Sequence, residues 1–522
     1  MSGRNLRKKL VWIALMILTE VPLAFPQQTN DLPQQLQQLK QQYEQTTQQL
    51  QQQITALEQQ IEKQKNTSTT ADHAAELAAE KAVKKVLFGE ASQVGAKFQG
   101  QLPSQPSYDL LQEAEAKLQG LQQQVSSFEF HGYFRSGYGL NSVGGQQVAF
   151  KAPGAAAKYR LGNEAETYGE FIFVNNWLNP EHDSDKAWFH TEVMIEANTT
   201  NSASYANFNN STGNDQFRLR EAFVRAGNLF ESQPDAKFWA GERFYRRQHI
   251  EIDDFYPLDM SGYGAGVEDL DLKFGKIAVG YLAAARPDIA TQNGNYVKSN
   301  IDVRLYDLKG PARPWAAWFD FAAGKGGTTS TSTVIPSSDG YAFGIRYQQL
   351  EWHGGYETLG IQYGRGAAGN FSTSIDDPTP FVRSTERLLI TEHLLLQPSE
   401  KFAIMPILIY QQSRDGDPSH GWDRWVSFGA RPEVFFTKNL SLAFEAGIDH
   451  TRSSTGLYEG WLRKFTIAPQ IGAGRKFFSR PVLRTFLTYG SWSDGLRGFV
   501  GGVPFKNRTH GFTYGVQAET WW

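Results

Sequence analysis

The sequence alternates with a period of two over long stretches. From Phe128 to Tyr138, Phe128, Phe130, Phe134 and Tyr138 share one parity, and His131, Tyr133 and Arg135 share the other. Trp425–Arg431 repeats the pattern: Val426, Phe428 and Ala430 alternate with Trp425, Ser427 and Arg431. Successive side chains of a strand point to opposite faces, so each stretch reads as a strand with two unlike faces. Leu483, Leu487 and Tyr489 oppose Arg484, Phe486, Thr488 and Trp492 in the same way. Phe512, Tyr514, Val516, Ala518 and Trp522 oppose Thr513, Gln517, Glu519 and Trp521. A soluble sandwich would keep charge on one face and aromatics on the other. Here the polar face mixes arginine with tyrosine and tryptophan, which suits a wet lumen. An apolar outer face over a polar inner one predicts an all-β transmembrane barrel over residues 128–522. Strands of about 9–11 residues with turns between them give about 16–18 antiparallel strands.

Phe217–Ala226 alternates less cleanly, as expected of a strand facing a protein neighbour rather than lipid. The segments Asn198–Asp215, Gly324–Gly340 and Gly364–Pro380 are polar loops. Gln248–Gly266 differs: it carries Asp253, Asp254, Phe255, Tyr256 and Asp259 before three alternating glycines. An acidic, aromatic loop of this length is expected to fold into the lumen and narrow it.

Upstream the period changes. Leu36, Leu39, Tyr43, Thr46, Leu50, Ile54, Leu57 and Ile61 form a heptad seam with one stutter at Ile54, which predicts a coiled coil over 27–65. Residues 66–127 read as a helical stalk and linker, with a second seam through Leu111, Ala114, Leu118, Leu121 and Val125. The barrel is thus expected to follow an α-helical coiled-coil extension in the periplasm, shared among identical subunits. Residues 1–24 read as a removed signal peptide, with Arg4, Arg7, Lys8 and Lys9 ahead of a mostly apolar Leu10–Leu23.

Composition narrows the function. The net charge of −3 gives no reason to expect nucleic acid as a partner. Mean hydropathy is −0.46, which argues against a helical membrane protein. With no cysteine there is no thiol nucleophile and no disulfide framework. No G-x-S-x-G, H-E-x-x-H or P-loop motif occurs, so no enzyme, metal or cofactor is expected. His249 beside Glu251, Asp253 and Asp254 reads as a hydrated loop rather than a ligand set, and the pair Glu164/Glu166 shows no acid–base geometry. Binding is better supported, because inward-parity rings and charges coexist: Tyr133 with Arg135, Tyr168 with Arg160 and Glu170, Trp425 with Arg431, Trp492 with Arg484. Sugars present C–H faces that pack on rings and hydroxyl edges that bond to Arg forks and carboxylates.

Several segments resemble maltoporin-family sugar porins: FHGYFRSGYG at 130–139, KYRLGNEAETYGE at 158–170, WAGERFY at 239–245, DFYPLDMSGYGAGVE at 254–268, SRPVLRTFLTYGSW at 479–492 and the terminal GVQAETWW. The resemblance implies an 18-stranded trimeric barrel in the bacterial outer membrane, giving facilitated diffusion of oligosaccharides. Carried over by position, it implies an aromatic slide of Tyr133, Tyr168, Tyr356, Trp425 and Trp492. It implies a polar track of Arg135, Arg160, Glu170, Arg220, Arg247, Asp254, Tyr256 and Asp259, with Tyr256 at the constriction. The family's loop tryptophan, lent by a neighbouring subunit, has no clear match; Tyr205 and Phe208 are the nearby candidates. The coiled coil is similar to that of sucrose-type members, whereas Arg247, Tyr256 and Asp259 keep a maltoporin-like constriction. Maltodextrin-like sugars are therefore the expected substrates, a disaccharide the alternative, and a general porin tethering the envelope through peptidoglycan or other periplasmic contacts a third reading.

Overall fold

The computed structural model describes residues 128–179, 186–199, 215–291, 294–329, 334–374 and 382–522. The expected signal peptide, coiled coil and stalk lie outside these residues, as do Tyr205 and Phe208.

The strands are β1 (Phe128–Asn141), β2 (Thr167–Asn176), β3 (Trp188–Thr199), β4 (Asp215–Gly227), β5 (Lys237–Arg243), β6 (Gln248–Ile250), β7 (Phe255–Leu258) and β8 (Gly262–Asp271). They continue as β9 (Lys276–Thr291), β10 (Gly294–Tyr306), β11 (Trp315–Gly324), β12 (Gly327–Thr329), β13 (Val334–Ile335), β14 (Ser338–Trp352) and β15 (Gly355–Gly366). The last are β16 (Glu386–Ser399), β17 (Phe402–Arg414), β18 (Asp423–Phe435), β19 (Leu440–Arg452), β20 (Glu459–Gly472), β21 (Val482–Trp492) and β22 (His510–Trp521). Eighteen of them form a closed antiparallel barrel. The two exceptions within the sheet are β12 and β13, a short hairpin leaning on β9, while β6 and β7 pair separately. Closure comes from β1 on β22, with Tyr133 opposite Trp521. Gly132 and Trp522 complete the seam by exchanging two backbone hydrogen bonds, at 3.2 and 3.1 Å. A closed sheet leaves no edge unpaired in lipid, where an unsatisfied backbone group costs several kcal/mol.

The parity reading holds strand by strand. Phe128, Phe130, Phe134 and Tyr138 are exposed, and Tyr133 and Arg135 are buried. The same division separates Val426 and Phe428 from Trp425, Ser427 and Arg431, and Leu483 and Leu487 from Arg484, Phe486 and Thr488. The irregular stretch has a local cause. The β3–β4 register jumps from Met194↔Glu221 to Ile195↔Leu219, leaving Arg220 as a bulge. One extra residue flips the parity. Phe217 and Leu219 therefore face out before the bulge and Val224 after it, while Phe223 and Arg225 turn in.

Among the described residues, several chain segments fold into the lumen, and two of them carry most of the expected site residues that lie outside the strands. Residues 142–166 fold inward from the end of β1, and Tyr159 lies where β18 and β19 carry Gly429 and Gly447. A Cβ on Gly447 would meet the Tyr159 ring, and so would one on Gly429, so glycine leaves the slot that the ring occupies. The Tyr159 hydroxyl is 2.9 Å from the Ser427 hydroxyl. Residues 244–261 form the second segment, with Ile250, Ile252, Leu258 and Met260 fully buried. Arg160 joins the two: its N–H donates to the Ile252 carbonyl at 2.9 Å.

Candidate functional site: the lumen and its constriction

The seam builds a row of rings. Tyr133 sits opposite Trp521 on one side and beside β2 on the other, where Arg135 pairs with Tyr168. Ring centres are 6.1 Å apart from Tyr168 to Tyr133 and 6.5 Å from Tyr133 to Trp521, the second pair nearly parallel at 28°. These are ordinary aromatic contact distances.

A charged network runs beside the row and converges on Glu519. Its carboxylate accepts from the Tyr133 hydroxyl at 3.1 Å, Arg480 Nε at 2.9 Å, Arg484 Nη2 at 2.7 Å and Arg160 Nη2 at 3.3 Å. The Arg480 guanidinium also lies 4.4 Å from the centre of the Trp521 ring. Arg160 reaches Glu164 at 3.0 Å and Glu251 at 2.9 Å, so one side chain spans wall and both inward segments. Arg135 donates to Glu166 at 2.5 Å and lies 3.5 Å from Glu164. Glu170 accepts from the Tyr168 hydroxyl at 2.5 Å. Arg220 pairs with Glu196 at 3.2 Å and lies 5.0 Å from the Phe244 ring. Farther round, Glu445 is held by Arg431 at 2.7 Å and Lys464 at 2.8 Å. Buried charges persist only when paired in this way.

The inward segment 244–261 carries a stack. The Arg247 guanidinium lies 4.1 Å from the Phe244 ring centre and 3.9 Å from that of Tyr256. His249 also stacks with Tyr256, at 4.6 Å and 24°. Asp259 is 3.2 Å from Arg247, and Asp254 is 3.2 Å from His249 Nε2. Burial opposes ionisation of Asp254, yet the His249 hydrogen bond and the charges of Arg160 and Arg135 hold its carboxyl well below the usual range. Asp253 goes the other way: burial, then the nearby Asp449 and Glu445 carboxylates, push it well above. The expected hydrated loop around His249 is therefore a packed element. Its side chain is fully buried, because ring stacking and the carboxylate take the place of water.

The five expected slide residues divide into two groups. Tyr133 and Tyr168 share one apolar cluster with Trp521. Trp425, Trp492 and Tyr356 belong with another, built around the inward segments. Trp425, 1% exposed, meets Phe255 edge-on at 5.3 Å and donates to Asp449 at 2.9 Å. Trp492, 4% exposed, packs against Phe150 at 5.7 Å and Phe505 at 6.2 Å. Tyr356 meets His393 edge-on at 5.8 Å. Sequence reasoning left Trp521, Glu519, Glu251 and Arg480 out of the site. The first two were visible as inward parity on the last strand, but their partner strand was not. Arg480 sits in the turn before β21 and offers no periodic signal.

A closed barrel with an apolar outer belt and a charged, aromatic lumen narrowed by inward segments is a transmembrane channel of the porin class. The family model of the LamB porin matches residues 128–522, and the chain belongs to that family. Family and fold place it in the outer membrane. Among solved structures it is similar to OccAB4 of Acinetobacter baumannii, at 11% identity over 76% of this chain and 99% of that one, with a TM-score of 0.41. The anion-selective porin from Comamonas acidovorans matches at 12% identity over 76% and 99% of the two chains, with a TM-score of 0.39. Wzi of Escherichia coli, described as a carbohydrate-binding β-barrel, matches at 10% identity over 80% and 88%, with a TM-score of 0.40.

Proposed function

We propose that this porin carries oligosaccharides of the maltodextrin type by facilitated diffusion, as a homotrimer. The observation that carries the reading is the ring row Tyr168–Tyr133–Trp521 running beside the Glu519 network. A pyranose C–H face can lie on Tyr168, the half-buried ring of the row, with the buried Tyr133 and Trp521 rings backing it, while its hydroxyls exchange bonds with the charged groups alongside. Equivalent neighbouring positions let the sugar step along without being held too tightly at any one of them. The constriction of Arg247, Asp254, Tyr256 and Asp259 offers a donor-and-acceptor rim through which a hydroxylated chain exchanges its water. Trimer formation is supported by Glu242 on the outer parity of β5, paired in register with Tyr263, since a lipid-facing carboxylate is unfavourable. Single-channel recordings in planar bilayers test the reading. Maltodextrins added to one side are expected to interrupt the ion current in proportion to concentration, and the absence of block by any sugar would refute it.

The alternative of a disaccharide channel gains from one observation. Trp425 and Trp492 are engaged by Phe255, Phe150 and Phe505, so the contiguous row is three rings long. A short row matches a short sugar. Sucrose blocking at lower concentration than maltotriose would favour this reading over the first.

A further inference from the structure

The constriction is held from both sides. On one side it rests on the network around Arg160. On the other, a segment running from Ala367 to Ser374 lies against it. The Asp259 N–H donates to the Phe371 carbonyl at 2.9 Å, and the Thr373 N–H donates back to the Asp259 carbonyl at 3.2 Å. Asp259 and Ser372 form a parallel bridge, and the Thr373 hydroxyl donates to the Ser261 carbonyl. Two lengths of irregular chain are thus zipped together inside the lumen, where neither belongs to the barrel ladder.

The second length is held by the Phe371 ring, which meets Trp318 edge-on at 6.0 Å, and by one wall side chain that gathers three of its acceptors. Lys298, on β10 and 1% exposed, sends its Nζ to Asn370 Oδ1 at 2.9 Å, the Ser372 carbonyl at 2.7 Å and the Ser374 carbonyl at 3.2 Å. Three acceptors of one short segment converge on one ammonium, and an ammonium has three donors to give. Asn370 Nδ2 adds a bond to the Ser374 carbonyl at 2.8 Å, which keeps the segment curled around the lysine. Buried irregular backbone needs its carbonyls satisfied, and here a charged donor satisfies two of them. The chain of contacts continues past Asp259, whose carboxylate lies 3.2 Å from Arg247, whose guanidinium in turn lies 3.9 Å from the Tyr256 ring.

We propose that Lys298 is a positioning residue for the pore constriction: by clamping Asn370, Ser372 and Ser374 it fixes Asp259, and through Asp259 the place of Arg247 on Tyr256. The width of the narrowest passage is then set from the far wall by a residue that does not line it. The inference deepens the channel reading above, and its sugar readout rests on that reading. The ion readout does not.

A double-mutant cycle tests it. Lys298→Met, Asp259→Ala and the double variant are compared with the unaltered protein for single-channel ion current and for maltotriose block, with unheated gel mobility as the check on folding. Lys298→Met is expected to broaden the distribution of open-channel currents and to weaken sugar block by about twofold or more, the lower end of coupling within one hydrogen-bonded network. Because the lysine acts through Asp259, the double variant is expected to match Asp259→Ala. Lys298→Arg, which keeps the charge and the donors, is expected to restore a narrow current distribution, a rescue that a merely space-filling role would not show. If Lys298→Met does not fold, Asn370→Ala takes its place in the cycle, removing one of the three acceptors. Additive effects of the two substitutions on ion current would overturn the proposal, as would an unchanged current distribution in Lys298→Met. Loss of sugar block in every protein with the current effects intact would instead refute the sugar reading and leave the clamp standing.

Discussion

A tryptophan's place on the inner parity does not by itself say whether a ligand can reach it. Trp425, Trp492 and Trp521 all point inward and all three are buried; two are packed against Phe255, Phe150 and Phe505, while Trp521 extends the ring row beneath the Arg480 guanidinium. Parity reports a face of the sheet, whereas what covers that face comes from segments far away in sequence. Trp521→Ala is therefore expected to raise the maltodextrin concentration for half-block roughly fivefold, corresponding to about 1 kcal/mol of ring contact. Trp492→Ala is expected instead to lower the temperature of unfolding, since its ring supports Phe150 and Phe505. Recording both half-block and thermal unfolding for each variant separates the two roles. Asp253 makes a pH-dependent prediction. Its folded-state pKa is raised, so the stability linked to it is full below the unfolded value of about 3.9 and declines as pH rises toward the folded value. Thermal unfolding in detergent, read by circular dichroism, is expected to show a flatter decline above pH 4 in Asp253→Asn than in the unaltered protein.

At the scale of elements, most of the barrel was legible because strand identity follows from a period-two code that each strand carries alone. The irregular β4 was not, for a definable reason. A bulge is a relation between two strands, and Arg220 looks like any other residue until its partner skips it. A protein neighbour is unnecessary to explain the broken alternation there. Deleting Arg220 is expected to force Phe217 and Leu219 inward or Phe223 and Arg225 outward, and so to reduce the fraction that assembles. The amount of heat-modifiable band on unheated gels measures this. The inward fold of the segment was visible in Gln248–Gly266 as a long acidic and aromatic loop. That His249 would be sealed against Tyr256 was not, because composition does not reveal which ring a histidine meets.

For the whole molecule, the channel and its closing seam lie within residues 128–522, the span that the family model matches. The helical extension proposed for 27–125 is not needed to complete the ladder. Removing those residues is expected to leave single-channel conductance and sugar block unchanged, and any loss would show in the unheated trimer band or in envelope integrity. Whether trimers persist distinguishes a stalk that aids assembly from one that tethers the envelope. The seam itself has a consequence in time. Tyr133 and Glu519 touch across 386 residues, and the edge of β1 not paired with β2 finds its partner only when β22 is available. Closing so long a loop is slow, because chain entropy must be given up before the reward arrives. Until then β1 shows an open row of N–H and C=O groups, an invitation to aggregate. Making this pore is thus a problem of escort: something must shield the first strand while its mate is still on the way.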